Sequence, residues 1–158
     1  MKDADERIPD ARGLRMGIVV SSYHGRITTA LLEGAREGFT EAGGVMDDLV
    51  VIESPGAFEL TTIAATLADR SDIDGVVALG CVITGETRHD RYICQAVAEG
   101  LTHVGINTRK PVAFGVLTCQ VMEQAMDRSG GDKGNKGREA MHAAVFAHHA
   151  IKQAGGGS

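Results

Sequence analysis

Residues 75–89 read Gly-Val-Val-Ala-Leu-Gly-Cys-Val-Ile-Thr-Gly-Glu-Thr-Arg-His, and this order decides the fold class. The run 75–79 is apolar without polar alternation, which is the pattern of a strand buried on both faces. It leaves through Gly80, passes Gly85 and Thr87, and continues into a helical stripe of Ile93, Val97, Leu101 and Val104. The same order recurs on both sides. Upstream, a β-branched run at 17–20 precedes Ile27, Leu31, Ala35 and Phe39, spaced by four and closed by Gly43-Gly44. A second run at 49–52 stops at Ser54-Pro55-Gly56, and a helix is expected over 57–67 with Leu60, Ala64 and Leu67 on one stripe. Downstream, Pro111 opens a fourth strand at 112–117, followed by helices over 121–128 and from Asn135 or Lys136 to about Gln153. The last helix turns Ala140, Ala144, Ala147 and Ile151 to the core, and the Gly-rich stretch 129–134 before it reads as a loop. Buried strands alternating with helices predict an α/β fold: a three-layer α/β/α sandwich around a four-stranded parallel sheet. Ligands in such folds bind beyond the carboxyl ends of the strands, here at 21–26, 54–59, 80–89 and after Leu117.

The chain's 158 residues suffice for one domain with a sizeable core. Aromatics are scarce, at four Phe, two Tyr and no Trp, so each one present needs a reason for its position. Residues 1–13 are polar and are expected to be mobile or docked on a neighbour, 14–153 form the domain, and 154–158 read as a flexible Gly/Ser linker. The net charge of −5, with acidic and basic residues interspersed, argues against a nucleic-acid binder. The longest apolar stretch is too short to span a bilayer, and the acidic N-terminus lacks a signal core. Cys81, Cys94 and Cys119 show neither CxxC spacing nor even pairing, which predicts free thiols in the cytoplasm. No metal site is expected, because His24, His103, His142, His148 and His149 have no acidic partners at ligand spacing.

Four segments carry candidate chemistry. Gly80 to His89 superficially resembles a phosphate-binding loop, but Glu86-Thr87 replaces the Lys-Ser/Thr of a nucleoside triphosphatase. Two readings stand: backbone N–H groups at the helix start that attract an anion, or a Thr-capped turn without ligand. His89 follows immediately, either as a proton carrier near neutrality or as an ordinary surface residue. Glu59 at a helix start suits the dipole and is also placed to accept polyol hydroxyls. Tyr23 after the first strand is placed to stack on a flat heterocycle, whereas Phe114, mid-strand, reads as core by default. Arg128 at a helix C-terminus has a dipole rationale; Lys136 at a helix start lacks one without an acidic partner or ligand.

Five motifs in order resemble the lumazine synthase family: SPGAFE at 54–59, ALGCVITGETRH at 78–89, FGVLT at 114–118, EQA at 123–125 and GNKG at 134–137. The resemblance runs from about Leu14 to about Ile151 and implies a flavodoxin-like fold whose N-terminal segment pairs with a neighbouring subunit. It implies condensation of 5-amino-6-(D-ribitylamino)uracil with 3,4-dihydroxy-2-butanone 4-phosphate, giving 6,7-dimethyl-8-ribityllumazine, phosphate and water, with no cofactor. By the same resemblance Tyr23, Ala57, Phe58, Glu59, Cys81, Val82, Ile83, Phe114 and Lys136 hold the pyrimidine and its ribityl chain. Gly85, Glu86, Thr87 and Arg128 hold the phosphate, and His89, Arg128 and Lys136 are catalytic. Phe114 and Lys136 come from the adjacent subunit of a homopentamer, and the short 129–134 loop resembles members whose pentamers close into an icosahedral shell. Association with a riboflavin synthase is a further expectation. Two departures stand out: Tyr23-His24 replaces the family's usual Phe-Asn, and Ser54 replaces a usual Val. A cage-forming scaffold or a flavin-binding relative are the other readings, against which Glu59, His89, Arg128 and Lys136 are all present.

Overall fold

The computed structural model describes residues 7–157. β1 (Met16–Ser21) leads into α1 (Gly25–Glu41), then a 3-10 turn at Met46–Asp48, β2 (Leu49–Ser54) and α2 (Leu60–Ala68). β3 (Gly75–Ile83), α3 (His89–Thr108), β4 (Val112–Cys119) and α4 (Met122–Arg128) follow. A hairpin of β5 (Ser129–Gly131) and β6 (Gly134–Asn135) then delivers the chain into α5 (Lys136–Ala154). The four longer strands form one parallel sheet in the order β2-β1-β3-β4. All six residues of β1 and eight of the nine in β3 are buried, as their unbroken apolar runs require of central strands.

Two core clusters line the faces of this sheet. On one, Ile18, Val77 and Leu79 pack against Leu31 and Phe39 of α1 and Met141 and Val145 of α5. On the other, Val19, Val76 and Ala78 meet Leu60 and Ala64 of α2 and Val97 and Leu101 of α3. The result is the expected three-layer sandwich. Of the six aromatic residues only Phe39 belongs to the core, and Tyr23, Phe58, Tyr92, Phe114 and Phe146 are all exposed. Phe114, read as core by default, is 44% exposed because β4 is an edge strand.

Other boundaries also differ from the sequence reading. β3 does not end at Gly80 but runs to Ile83, because it stays paired with β4 as far as Cys119, and at Gly80 a Cβ would sit 3.1 Å from Leu60 Cδ1. That glycine marks close packing of α2 on the sheet, not an exit from it. The β1–β3 register ends at Val20↔Leu79 while β3–β4 continues to Ile83↔Cys119, so the last residues of β3 form a two-stranded ledge. α2 begins at Leu60, not at 57, because 57–59 form the turn that precedes it.

The 129–134 stretch, read as loop, is largely hairpin: Gly130 and Gly134 take positive φ, and Gly131 lies against the Asp127 backbone. Residues 1–6 and 158 lie outside the described residues, but 9–13 pack on their own chain. Ala11 is fully buried and donates its N–H to Ala42 O at 2.8 Å, and Asp10 O meets His149 Nε2 at 2.6 Å. The amides of Gly155, Gly156 and Gly157 donate to the last carbonyls of α5 and so cap the helix before the chain ends.

Candidate active site

The chain leaves β1 toward β2 on one side and crosses back to β3 on the other, which places the topological switch point between β1 and β3. Four loops open at the carboxyl edge of the sheet, and most of the candidate residues ride on them. Tyr23, 66% exposed, follows β1 and touches the His24 ring edge-on at 4.7 Å. His24 then opens α1 in the left-handed conformation, φ 55°, and its carbonyl accepts from Ile27 and Thr28 N–H. Histidine, like asparagine, is enriched in that region, so the departure from Phe-Asn leaves this backbone accessible.

After β2, Ala57 is buried while Phe58 and Glu59 are exposed, and Glu59 precedes the first turn of α2. Its carboxylate lies over Gly56, where an added Cβ would stand 3.1 Å from Glu59 Oε2. Beyond β3, residues 84–89 are all exposed and lead to the N-terminus of the 20-residue α3, which His89 opens. The segment is tied at few points. Thr84 N–H donates to Cys119 O at 2.9 Å, the Thr84 hydroxyl donates to Asp90 Oδ2 at 3.2 Å, and Thr87 Oγ1 accepts from His89 N–H at 3.4 Å. The Thr87 bond fits the capped-turn reading, and the exposed segment leaves the anion-binding reading open to test. Around Gly85 a Cβ would meet nothing within 4 Å, which leaves room for a ligand against free amides.

Arg128 ends α4 and folds back, donating from Nη1 to its own Gln124 O at 3.1 Å. Burial raises the pKa of the Cys119 thiol at the tip of β4, with the Arg128 charge opposing that rise, and the Cys119 carbonyl holds Thr84. Cys81 points away from the edge, into the α1/α5 core, and burial pushes its thiol up to about 12. A neutral, enclosed thiol is inert, so from Cys81 only the main chain is available to a ligand. Val82 is nearly buried and Ile83 half-buried at the end of the ledge.

Phe114 and Lys136 do not join this cluster within one chain. Phe114 pairs with Ala78 in mid-sheet, well before the carboxyl edge. Lys136 opens α5 beside α1, where Asn135 accepts from Gly137 and Arg138 N–H and donates from Nδ2 to Ala30 O at 2.9 Å. The acidic partner that Lys136 needs at a helix start is Glu139, at 2.7 Å. That i,i+3 spacing was visible in the sequence. Two open depressions, of about 610 and 440 Å³, lie at the opposite edge around Gly105, Lys110, Pro111 and Ile151, and touch none of the candidate residues. Convergent polar groups, not concavity, locate the site here; a single protomer offers it as an open edge. Among the described residues no group of three His, Cys, Asp or Glu gathers as a metal site would require.

Comparison with known proteins bears on this edge directly. The family model for 6,7-dimethyl-8-ribityllumazine synthase matches residues 13–152, which include every loop just described. The chain belongs to the lumazine synthase family. Curated relatives with the name 6,7-dimethyl-8-ribityllumazine synthase agree over similar spans. The protein of Porphyromonas gingivalis is 43% identical over 150 residues, 95% of this chain and 89% of the relative. That of Thermus thermophilus is 46% identical over 85% of this chain and 86% of its own, and that of Cytophaga hutchinsonii 47% over 84% of each. The flavodoxin-like sheet expected of lumazine synthases is the β2-β1-β3-β4 sheet seen here. Sequence reading missed three residues that hold the lumazine synthase loops: Asp90 on Thr84, Ser21 on Tyr23, and Ser54 on Gly56. Ser21 and Ser54 are hydroxyls buried at strand ends, and only their helix- and turn-flanking positions hinted at bonds to nearby backbone.

Proposed function

We propose that this chain is a lumazine synthase, condensing 5-amino-6-(D-ribitylamino)uracil with 3,4-dihydroxy-2-butanone 4-phosphate to 6,7-dimethyl-8-ribityllumazine, phosphate and water. The observation that carries the proposal is the gathering of Tyr23, Glu59 and the open 84–89 segment on one sheet edge, in a chain of this family. Tyr23 stacks on the pyrimidine, main-chain groups of Ala57, Val82 and Ile83 bind its edge, and Glu59 accepts ribityl hydroxyls. Gly85, Glu86, Thr87 and Arg128 hold the phosphate, with amide and guanidinium donors suited to a dianion. His89, at the first position of α3, carries protons as the amine adds to the ketone and phosphate departs. Holding both substrates in attack geometry supplies most of the acceleration, and the chemistry calls for no cofactor.

Phe114 and Lys136 serve the site of the adjacent protomer, a reading supported by the exposed, mid-sheet position of Phe114 away from the carboxyl edge. The assembly is a homopentamer closing into an icosahedral shell, and five exposed aromatics in an aromatic-poor chain support contacts between protomers. A riboflavin synthase, which consumes the product, is the associated enzyme. The three free cysteines suit the cytoplasm; no helix among the described residues is long and apolar enough to cross a membrane.

The test is to mix the protein with both substrates and follow lumazine formation by absorbance. Formation above the spontaneous background is expected, with Arg128→Ala raising the requirement for the phosphate substrate far more than for the uracil. No acceleration by folded, assembled protein would leave the fold standing and favour a scaffold or flavin-binding relative. Light scattering reads the assembly alongside.

A further inference from the structure

The last paired rung of β1 and β2 is Ser21↔Ser54, and both serines are buried, at 1% and 0% exposure. Hydroxyls are unusual where a covered parallel strand ordinarily holds aliphatic side chains, and burying them is costly unless they are bonded. Each is bonded to the backbone two residues on. Ser21 Oγ accepts from Tyr23 N–H at 3.2 Å, and the Ser54 hydroxyl donates to Gly56 O at 2.7 Å. Ser22 then staples the two loops together: its N–H donates to Ser54 O at 2.8 Å and its hydroxyl to Pro55 O at 3.3 Å. The Tyr23 amide and the Gly56–Ala57 peptide are therefore referenced to a single rung of the sheet. The Glu59 carboxylate lies over Gly56, three residues on in the same turn.

We infer that Ser21, Ser22 and Ser54 are positioning residues that fix the separation between the stacking ring of Tyr23 and the polyol acceptor Glu59. The inference rests on the proposed roles of those two residues. The clamp selects a ligand that is flat at one end and polyhydroxylated at the other, and it has no bond to the 84–89 segment that would take the phosphate.

The experiment measures both Michaelis constants and thermal unfolding for wild type, Ser54→Ala and Ser22→Ala. Loss of a buried, satisfied bond predicts that Ser54→Ala raises KM for the ribitylaminouracil about tenfold, and loss of the exposed staple in Ser22→Ala about threefold. KM for the butanone phosphate stays within about twofold in both, since a factor of two is only ~0.4 kcal/mol. If the two Michaelis constants rise together, or neither rises in a folded variant, the clamp is refuted. Ser22 is exposed, so Ser22→Ala decides alone if Ser54→Ala fails to fold. Equilibrium titration with 6,7-dimethyl-8-ribityllumazine separates the two claims. Wild-type binding without turnover, weakened about tenfold in Ser54→Ala, would sink the reaction and keep the clamp. No wild-type binding would sink both.

Discussion

Two glycine-bearing junctions do opposite work in this molecule. At the mouth of α5, a Cβ on Gly137 would overlap the carbonyl oxygen of Leu31, and one on Gly34 would overlap the Asn135 amide. At the mouth of α3, a Cβ on Gly85 would meet nothing within 4 Å. The first junction is sealed: Asn135 enters between α1 and α5, caps α5 and bonds Ala30 O, fixing the backbone that bears Lys136. The second is open, tied down by Thr84 at one end and by a loose Thr87–His89 bond at the other. Both look alike as sequence, Gly-x-Lys-Gly-type and Thr-Gly-Glu-Thr punctuation before a helix. What separates them is whether another element comes within van der Waals distance of the missing side chain.

The contrast is most directly broken at Gly137. Gly137→Ala forces a methyl group against backbone that no rotamer change can move, and a loss of about 3 kcal/mol or more is expected by urea unfolding. Wild-type stability in that variant would show that the sealed junction yields. On the open side, His89→Ala should lower kcat by on the order of 10²-fold while the unfolding midpoint holds, since acid–base groups contribute that much and His89 is exposed. A matching fall in stability would make His89 structural and blur the distinction.

Asn135→Ala removes a helix cap and leaves Ala30 O without its partner, for an expected cost of about 1–2 kcal/mol in chemical denaturation. The smallest effect is reserved for Gly85→Ala. Stability should change by less than about 0.5 kcal/mol, as for surface substitutions without a packing conflict, while KM for the phosphate substrate rises severalfold. An unchanged KM would mean that the space around Gly85 is not where the phosphate sits.

The elements that decide the fold were legible because their signals are local. Unbroken apolar runs at 17–20 and 75–79 declared buried strands, and the stripe Ile27, Leu31, Ala35 and Phe39 declared a core-facing helix. The loops proposed to carry the chemistry were picked out by the carboxyl-edge rule. What escaped depended on contacts distant in sequence. Gly80 read as an exit because its neighbour, Leu60, lies on another element. Phe114 read as core because nothing local announces that β4 is an edge strand. The hairpin at 129–135 read as loop because glycines pairing across so short a turn carry no hydrophobic periodicity. The serine clamp was invisible for a related reason, since its hydroxyls become significant only once Ser21 and Ser54 stand on the same rung.

The ledge has a mechanical consequence. Beyond the Val20↔Leu79 rung, Gly80 to Ile83 continue with β4 alone, a projection of about 13 Å at the rise of a parallel strand. In its strand pairing it is a cantilever: its root lies in the four-stranded body, and at its tip Thr84 is bonded to the carbonyl of the buried Cys119. A phosphate seated as proposed, between the 84–89 segment and Arg128, would bear on these two strands and not on the rung from which Tyr23 and Gly56 are hung. On the proposed roles, one end of the site therefore rests on two strands and the other on a rung of the four-stranded body.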